Sequence, residues 1–244
     1  SISAGFSHTC AILDDLNVKC WGYNLYGELG QGDTNNRGDG AGEMGSYLPA
    51  IDVGSNVLVS FIVSGNSHNC MISLEGQVKC WGYNSRGNLG YGDYYSRGDA
   101  TGEMGDNLPF VDLGTSCTVV TDLSAGDRQT CAVCYDGSLK CWGYGTYGQL
   151  GYGDTNNRGD GASEMGDYLP FVDVEGTSGL TVVGVAPGQY HVCVVFDDGS
   201  MKCWGENGDG QLGYGDTTDR GDGANEMGDN LPFVDVGTGR SVLS

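Results

Sequence analysis

Residues 20–33 read Cys-Trp-Gly-Tyr-Asn-Leu-Tyr-Gly-Glu-Leu-Gly-Gln-Gly-Asp, and the same frame returns at 80–93, 141–154 and 203–216. The tryptophans that mark it, Trp21, Trp81, Trp142 and Trp204, lie 60, 61 and 62 residues apart. A period of that size defines a repeat architecture, so a residue present in every copy is first a requirement of the repeat. A functional site then lies in a loop shared by all copies or in a departure from the pattern.

Working outward, each copy parses alike. An apolar, β-rich run reaches Gly5, Gly65, Gly126 or Gly188, and a stretch such as His8-Thr9-Cys10-Ala11-Ile12-Leu13 follows. Asp136-Gly137 and Asp198-Gly199 are hairpin signals before the return strand, Val18-Lys19-Cys20-Trp21-Gly22 in the first copy. After Gly-x-Leu-Gly-x-Gly-Asp comes a long loop, Asp33 to Pro49 in the first copy, and a short run such as Phe110-Val111-Asp112-Leu113-Gly114 closes the unit. Several short strands with no long segment of helical period predict an all-β stack of small antiparallel sheets. The repeats are read as 1–60, 61–121, 122–183 and 184–244 within one continuous repeat domain.

The string Gly-x-x-His-Thr-Cys-Ala, hairpin, Lys-Cys-Trp-Gly-Tyr-Asn-x-x-Gly-x-Leu-Gly-x-Gly-Asp resembles the repeat of the regulator of chromosome condensation family. The resemblance covers all four units and implies β-propeller blades of four strands each. The chain departs from the family in two ways: an insertion follows each Gly-Asp, and there are fewer blades than the family's usual propeller. The two ends, read head to tail, match an internal junction. The expected architecture is therefore part of a larger propeller or an open superhelical stack, rather than a closed four-bladed ring.

Of the 10 cysteines, eight fall into four pairs in the same register: Cys10/Cys20, Cys70/Cys80, Cys131/Cys141 and Cys193/Cys203. Each pair is symmetric about a hairpin turn, which places the two residues opposite each other on adjacent strands and predicts a disulfide in every unit. Cys117 and Cys134 complete an even count. Five disulfides point to an oxidising compartment, extracellular or at the cell surface. Zinc fits poorly, because Cys131/Cys134 is the only Cys-x-x-Cys pair. There is no apolar run of transmembrane length, so membrane insertion is not expected.

The formal net charge of −21 argues against nucleic acid, which demands a basic footprint, and fits cation binding or a basic protein partner. Much of the acidity sits in the insertions. They place Asp, Arg, Asp and Glu at fixed offsets: Asp33, Arg37, Asp39 and Glu43; Asp93, Arg97, Asp99 and Glu103; Asp154, Arg158, Asp160 and Glu164; Asp216, Arg220, Asp222 and Glu226. Asp106, Asp167 and Asp229 add an acid where the first copy has Ser46. The leading reading is a loop held together by an Arg fork bridging two carboxylates. A Ca²⁺ site is the alternative, since that ion takes about six to eight oxygen ligands, although the spacing is not that of an EF-hand. Arg-Gly-Asp recurs in phase with the repeat, so a turn requirement explains it.

No catalytic set emerges. His8, His68 and His191 share one register position that Gln129 fills in the third copy, which suits a strand hydrogen-bonder better than a base. The paired carboxylates are fourfold repeated, whereas an enzyme has one asymmetric site. The four tryptophans are expected in the core, and the many tyrosines leave a sugar- or protein-binding face open. The sequence is therefore read as a non-catalytic extracellular structural module needing no cofactor, which self-associates or stacks on neighbouring repeats of the same chain. The alternatives are a propeller that binds protein or calcium through the acidic loops and, as the resemblance implies, a nucleotide exchange factor-like propeller.

Overall fold

In a computed structural model, residues 1–176 and 178–243 are described, and they form four three-stranded antiparallel sheets. The first contains β1 (Ile2–Ala4), β2 (His8–Ile12) and β3 (Val18–Gly22); the second, β4 (Val59–Ser64), β5 (His68–Ser73) and β6 (Val78–Gly82). The third contains β7 (Val120–Ala125), β8 (Gln129–Cys134) and β9 (Leu139–Gly143); the fourth, β10 (Val182–Pro187), β11 (His191–Phe196) and β12 (Met201–Gly205). Within each sheet the strands lie in chain order. The repeat joints read at 60/61, 121/122 and 183/184 each fall two residues into the leading strand of the next sheet.

The hairpin register follows from the cysteines. Cys10 lies opposite Cys20, Cys70 opposite Cys80, Cys131 opposite Cys141 and Cys193 opposite Cys203. Each pair is a disulfide spanning 4.1 Å between Cα atoms, close enough to belong to the non-hydrogen-bonded rungs of an antiparallel ladder. Cys117 and Cys134 form the fifth, tying the connector before β7 to the end of β8.

The fourth strand that the resemblance implies is absent as a strand, and the insertion takes its place along the outer edge. Gly22 exchanges backbone hydrogen bonds with Arg37 at one end of β3, and Ile51 N–H donates to Val18 O (2.8 Å) at the other. Between them, in the second repeat, the Tyr91 hydroxyl donates to Cys80 O and accepts from Cys80 N–H, both at 2.9 Å. Tyr152 and Tyr214 do the same for Cys141 and Cys203, whereas the first repeat has Gln31. A tyrosine and two single contacts thus cover an edge that would otherwise offer unpaired backbone groups.

The hydrophobic core lies between sheets. One cluster joins Cys10, Cys20 and Leu29 of the first repeat to Met71 and Trp81 of the second; a like cluster joins the second to the third, and another the third to the fourth. Trp81, Trp142 and Trp204 are fully buried, each in the joint with the preceding repeat. Trp21, expected in the core with them, is only partly buried, because no preceding sheet covers it among the described residues. No hydrogen bond joins the fourth sheet to the first among the described residues, so the four sheets form an open array.

Each hairpin disulfide closes a short loop within the core. Replacing Cys70 and Cys80 together by Ser is expected to lower stability by about 2–4 kcal/mol, measured by denaturant unfolding. An unchanged midpoint would show that the cross-strand bond is idle.

Candidate functional site

The joint between sheets is the most elaborate polar construction in the molecule. Trp81 Nε1–H donates to Glu28 O in the preceding repeat (3.1 Å), Trp142 to Asn88 O (3.0 Å) and Trp204 to Gln149 O (3.0 Å). A second donor reaches the same carbonyl in the first two joints: Asn69 Nδ2–H on Glu28 O at 2.7 Å, and the Thr130 hydroxyl on Asn88 O at 2.8 Å. Val192 fills that register position in the fourth repeat and leaves the third joint with one donor. Asn69 and Thr130 in turn bond His8 Nε2 (2.9 Å) and His68 Nε2 (3.0 Å). His8 and His68 therefore bond across joints rather than along strands, and burial pushes His68 down to about 3, so its ring is neutral.

The last Gly of Gly-x-Leu-Gly makes this approach possible. Gly90 has φ +78°, and a Cβ there would lie 2.8 Å from Trp142 Nε1; Gly151 stands in the same relation to Trp204. Only a residue without Cβ satisfies both the left-handed conformation and the approaching indole. The first Gly of that motif has a parallel role, since Gly27, Gly87 and Gly148 each lie directly under the Arg-Gly-Asp segment of the following repeat.

The insertion is therefore a clamp across the joint. Gly32 N–H donates to Gly98 O (3.0 Å), and Gly92 and Gly153 make the same bond to Gly159 and Gly221. Gly98, Gly159 and Gly221 are buried by this docking, and Gly38 of the first repeat is exposed. A short 3-10 turn, Gly105–Asn107 in the second repeat, also seats on the connector: Gly105 N–H donates to Asp52 O (2.9 Å), and Asp106 accepts from Ser55 N–H (2.6 Å) and hydroxyl (2.7 Å). Asp167 accepts from Thr115 in the same way, and Gly228, beside Asp229, bonds Asp173 O. Lys79 Nζ ties the two segments together through Val53 O (2.8 Å) and Gly105 O (3.0 Å), over the Phe110 ring. Lys140 and Lys202 repeat this arrangement, while Lys19 donates to Gly45 O alone among the described residues.

Within the insertion the charges pair differently from the sequence reading. Arg97 Nη2 donates to one carboxylate, Asp93 (2.7 Å), and its Nη1 donates to Tyr95 O (2.9 Å) and Ser96 O (3.2 Å). Arg37, Arg158 and Arg220 likewise meet Asp33, Asp154 and Asp216. The expected two-carboxylate bridge fails because the glutamates have another role: Glu103 accepts from Gly98 N–H and Ala100 N–H, both at 3.0 Å. Glu43, Glu164 and Glu226 cap the same turn in their own repeats. Bonding to Arg220 holds the Asp216 carboxyl down to about 2. Asp39 and Asp160 accept from the neighbouring Asn36 and Asn157 side chains, while Asp99 and Asp222 lie against Glu103 and Glu226. Among the described residues no group of three or more His, Cys, Asp or Glu side chains is placed to hold a metal ion.

Two further residues carry weight that sequence reasoning missed. Asn24, fully buried, donates to Asp33 O (2.8 Å) and Asn35 O (2.9 Å) and accepts from Leu29 N–H (2.8 Å), welding the Gly-rich loop to the insertion. Its recurrence two residues after Trp-Gly as Asn84 and Asn207, with Gly145 in the third repeat, was the available signal. Glu28 is equally buried, with Oε2 accepting from Tyr26 N–H (2.9 Å) and Oε1 unpartnered. The other repeats have the amides Asn88, Gln149 and Gln211 at that position.

Four disulfide-stapled sheets with cores only between neighbours, joined by one recurring polar lock, define a repeat protein of the β-propeller kind. The description regulator of chromosome condensation (RCC1) repeat matches residues 1–28, 59–88, 120–149 and 182–211, and a second pattern of the same description matches residues 136–195. The chain belongs to the RCC1 repeat family. It is 29% identical over 220 residues to the ultraviolet-B receptor UVR8 of Arabidopsis thaliana, covering 90% of this chain and 44% of that protein. It is 30% identical over 217 residues to the human E3 ubiquitin-protein ligase HERC2, covering 89% of this chain and 4% of that one. Among solved structures it resembles human WBSCR16 (TM-score 0.68, 20% identity, 91% of this chain and 50% of that). It also resembles Prp20p of Saccharomyces cerevisiae, described with its binding to Gsp1p and histones (TM-score 0.62, 18% identity, 87% and 44%). The chain spans half or less of the length of each of these relatives. No helix among the described residues is long and apolar enough to cross a membrane.

Glu28 gives the joint a measurable pH response. Burial, and then the Asp99 charge, raise its carboxyl above the ordinary carboxylate range. The folded state therefore binds a proton more tightly than the unfolded state, and stability contributed at this position falls as pH rises through that raised value. Glu28→Gln is expected to stabilise the protein by about 1–2 kcal/mol at neutral pH, with the gain vanishing below about pH 4, in thermal melts across pH. A variant less stable than the parent at neutral pH would contradict this.

Proposed function

We propose that the chain is a non-catalytic, extracellular structural module that joins side by side to further sheets of its own kind, including those of a second copy. The observation that carries this reading is the joint itself. It is built three times from the same two halves: an indole with an Arg-Gly-Asp clamp on one sheet, and a Gly-rich loop with its carbonyl on the sheet before it. The first sheet presents the Trp21 and Gly38 half, and the fourth sheet the Gly210 and Gln211 half. Complementary halves on opposite ends of one body make a head-to-tail contact, which propagates or closes into a ring. Five disulfides among the described residues support an oxidising, extracellular setting. The protein binding described for Prp20p supports the broader statement that such a propeller works as a protein-binding platform. The fourfold repetition of the two Asp and the Glu of each insertion supports a role without catalysis.

Sedimentation velocity over a wide range of protein concentration tests the reading. The mass is expected to rise above the 25.6 kDa of one chain, and Trp21→Glu should abolish the rise while leaving the fold intact by circular dichroism. A single species of one-chain mass at every concentration would remove the proposal.

A further inference from the structure

The sheet ends where β2, β5, β8 and β11 begin, and where β3, β6, β9 and β12 finish, carry an aromatic stripe that no structural role accounts for. At each joint the side chain three residues past the Tyr of Trp-Gly-Tyr reaches toward the next repeat. Tyr26 stacks on Tyr83 at 4.5 Å between centroids, and the Arg86 guanidinium lies 5.4 Å over the Tyr144 ring. Tyr147 packs on Tyr190 at 4.8 Å, and Tyr144 lies within 6.3 Å of both. Tyr26 is 37% exposed, and the other four rings are partly exposed. Buried groups such as Asn24 fix the backbone beneath, so the stripe is pre-organised.

The fourth repeat departs from the pattern at this stripe. Tyr190 replaces Ser7, Ser67 and Arg128; Glu206 replaces Tyr23, Tyr83 and Tyr144; Asp209 replaces Tyr26, Arg86 and Tyr147; Asp219 replaces Asn36, Ser96 and Asn157. A ring and three acids thus appear together where the other copies have none of that set. Burial first, and then the neighbouring tyrosines with the charges of Glu206 and Asp219, push the Tyr147 hydroxyl up. Two basic side chains are already engaged: Arg86 lies over Tyr144, and Arg128 faces Asp127 at 3.7 Å.

From this geometry we propose that the stripe, centred on Tyr147 and Tyr190, docks an extended basic segment of a partner protein bearing arginine side chains. Arg86 shows on this same surface how a guanidinium seats over one of its tyrosines, and the acids at the fourth-repeat end supply the complementary charge. A planar guanidinium stacks on such rings better than an ammonium does, so the stripe discriminates Arg from Lys. This inference is independent of side-by-side assembly, which uses the end faces of the array.

Fluorescence anisotropy with a labelled oligoarginine peptide tests it, with oligolysine of equal length and a neutral oligosaccharide as competitors. The oligoarginine is expected to bind more tightly than oligolysine, and the sugar should not compete. Tyr147→Leu and Tyr190→Leu should each weaken binding about fivefold, and Glu206→Gln with Asp219→Asn should weaken it further. Asp14→Asn with Glu75→Gln, on exposed hairpin turns at the opposite end of the sheets, should leave it unchanged. Equal affinity for the two peptides, insensitive to both tyrosines, would reduce the effect to overall acidity and overturn the proposal. Displacement by the oligosaccharide would overturn it in favour of a sugar face. Should a substitution unfold the protein, ring resonances of the unaltered protein decide: shifts confined to the stripe on adding oligoarginine support the site, and their absence rejects it.

Discussion

One backbone carbonyl per repeat organises the molecule. Glu28 O, Asn88 O and Gln149 O each sit at a buried turn of the Gly-rich loop, where an unpaired carbonyl would be costly, and each is satisfied by the indole N–H of the following sheet. That bond requires the indole to lie flat against the loop. A glycine must therefore stand beside it, the loop must hold a fixed shape, and the next insertion must close over the top. The Trp-Gly frame, Gly-x-Leu-Gly and the Arg-Gly-Asp segment are parts of one lock between neighbouring sheets. The disulfides act on a different scale, fixing each hairpin so that the tryptophan and the cross-joint histidine leave it at a constant register.

Because the cores lie between sheets, stability is a property of neighbours, as in other repeat proteins. A sheet on its own buries little. The acidic insertions belong to the same economy of neighbours: their aspartates, glutamates and arginines satisfy turns, and the turns grip the preceding loop and connector. A chain with a net charge of −21 tolerates this density of carboxylates because most of those in the insertions face a guanidinium or backbone N–H groups.

The sheet array, the hairpin register and the symmetric cysteine pairs were legible in the sequence, since period, turn residues and fixed spacing are local properties. The pairing inside the insertion was only partly legible. Arg97 and Glu103 were recognised as working residues, but their partners include backbone groups, which composition does not show. The edge-covering tyrosines Tyr91, Tyr152 and Tyr214 depend on how the Gly-rich loop folds back on its own sheet, and the cross-joint role of His8 and His68 on which repeat faces which; spacing along a chain carries neither. Trp21 illustrates the same point: identical to the other tryptophans in sequence, it differs from them by its neighbour.

The most direct test of the lock is hydrogen exchange of the four indole N–H groups, followed by NMR in dilute monomer. The account predicts that Trp81, Trp142 and Trp204 exchange only with global unfolding, whereas Trp21 exchanges rapidly. Four indoles exchanging alike would show that the carbonyl-to-indole bond does not hold the sheets together.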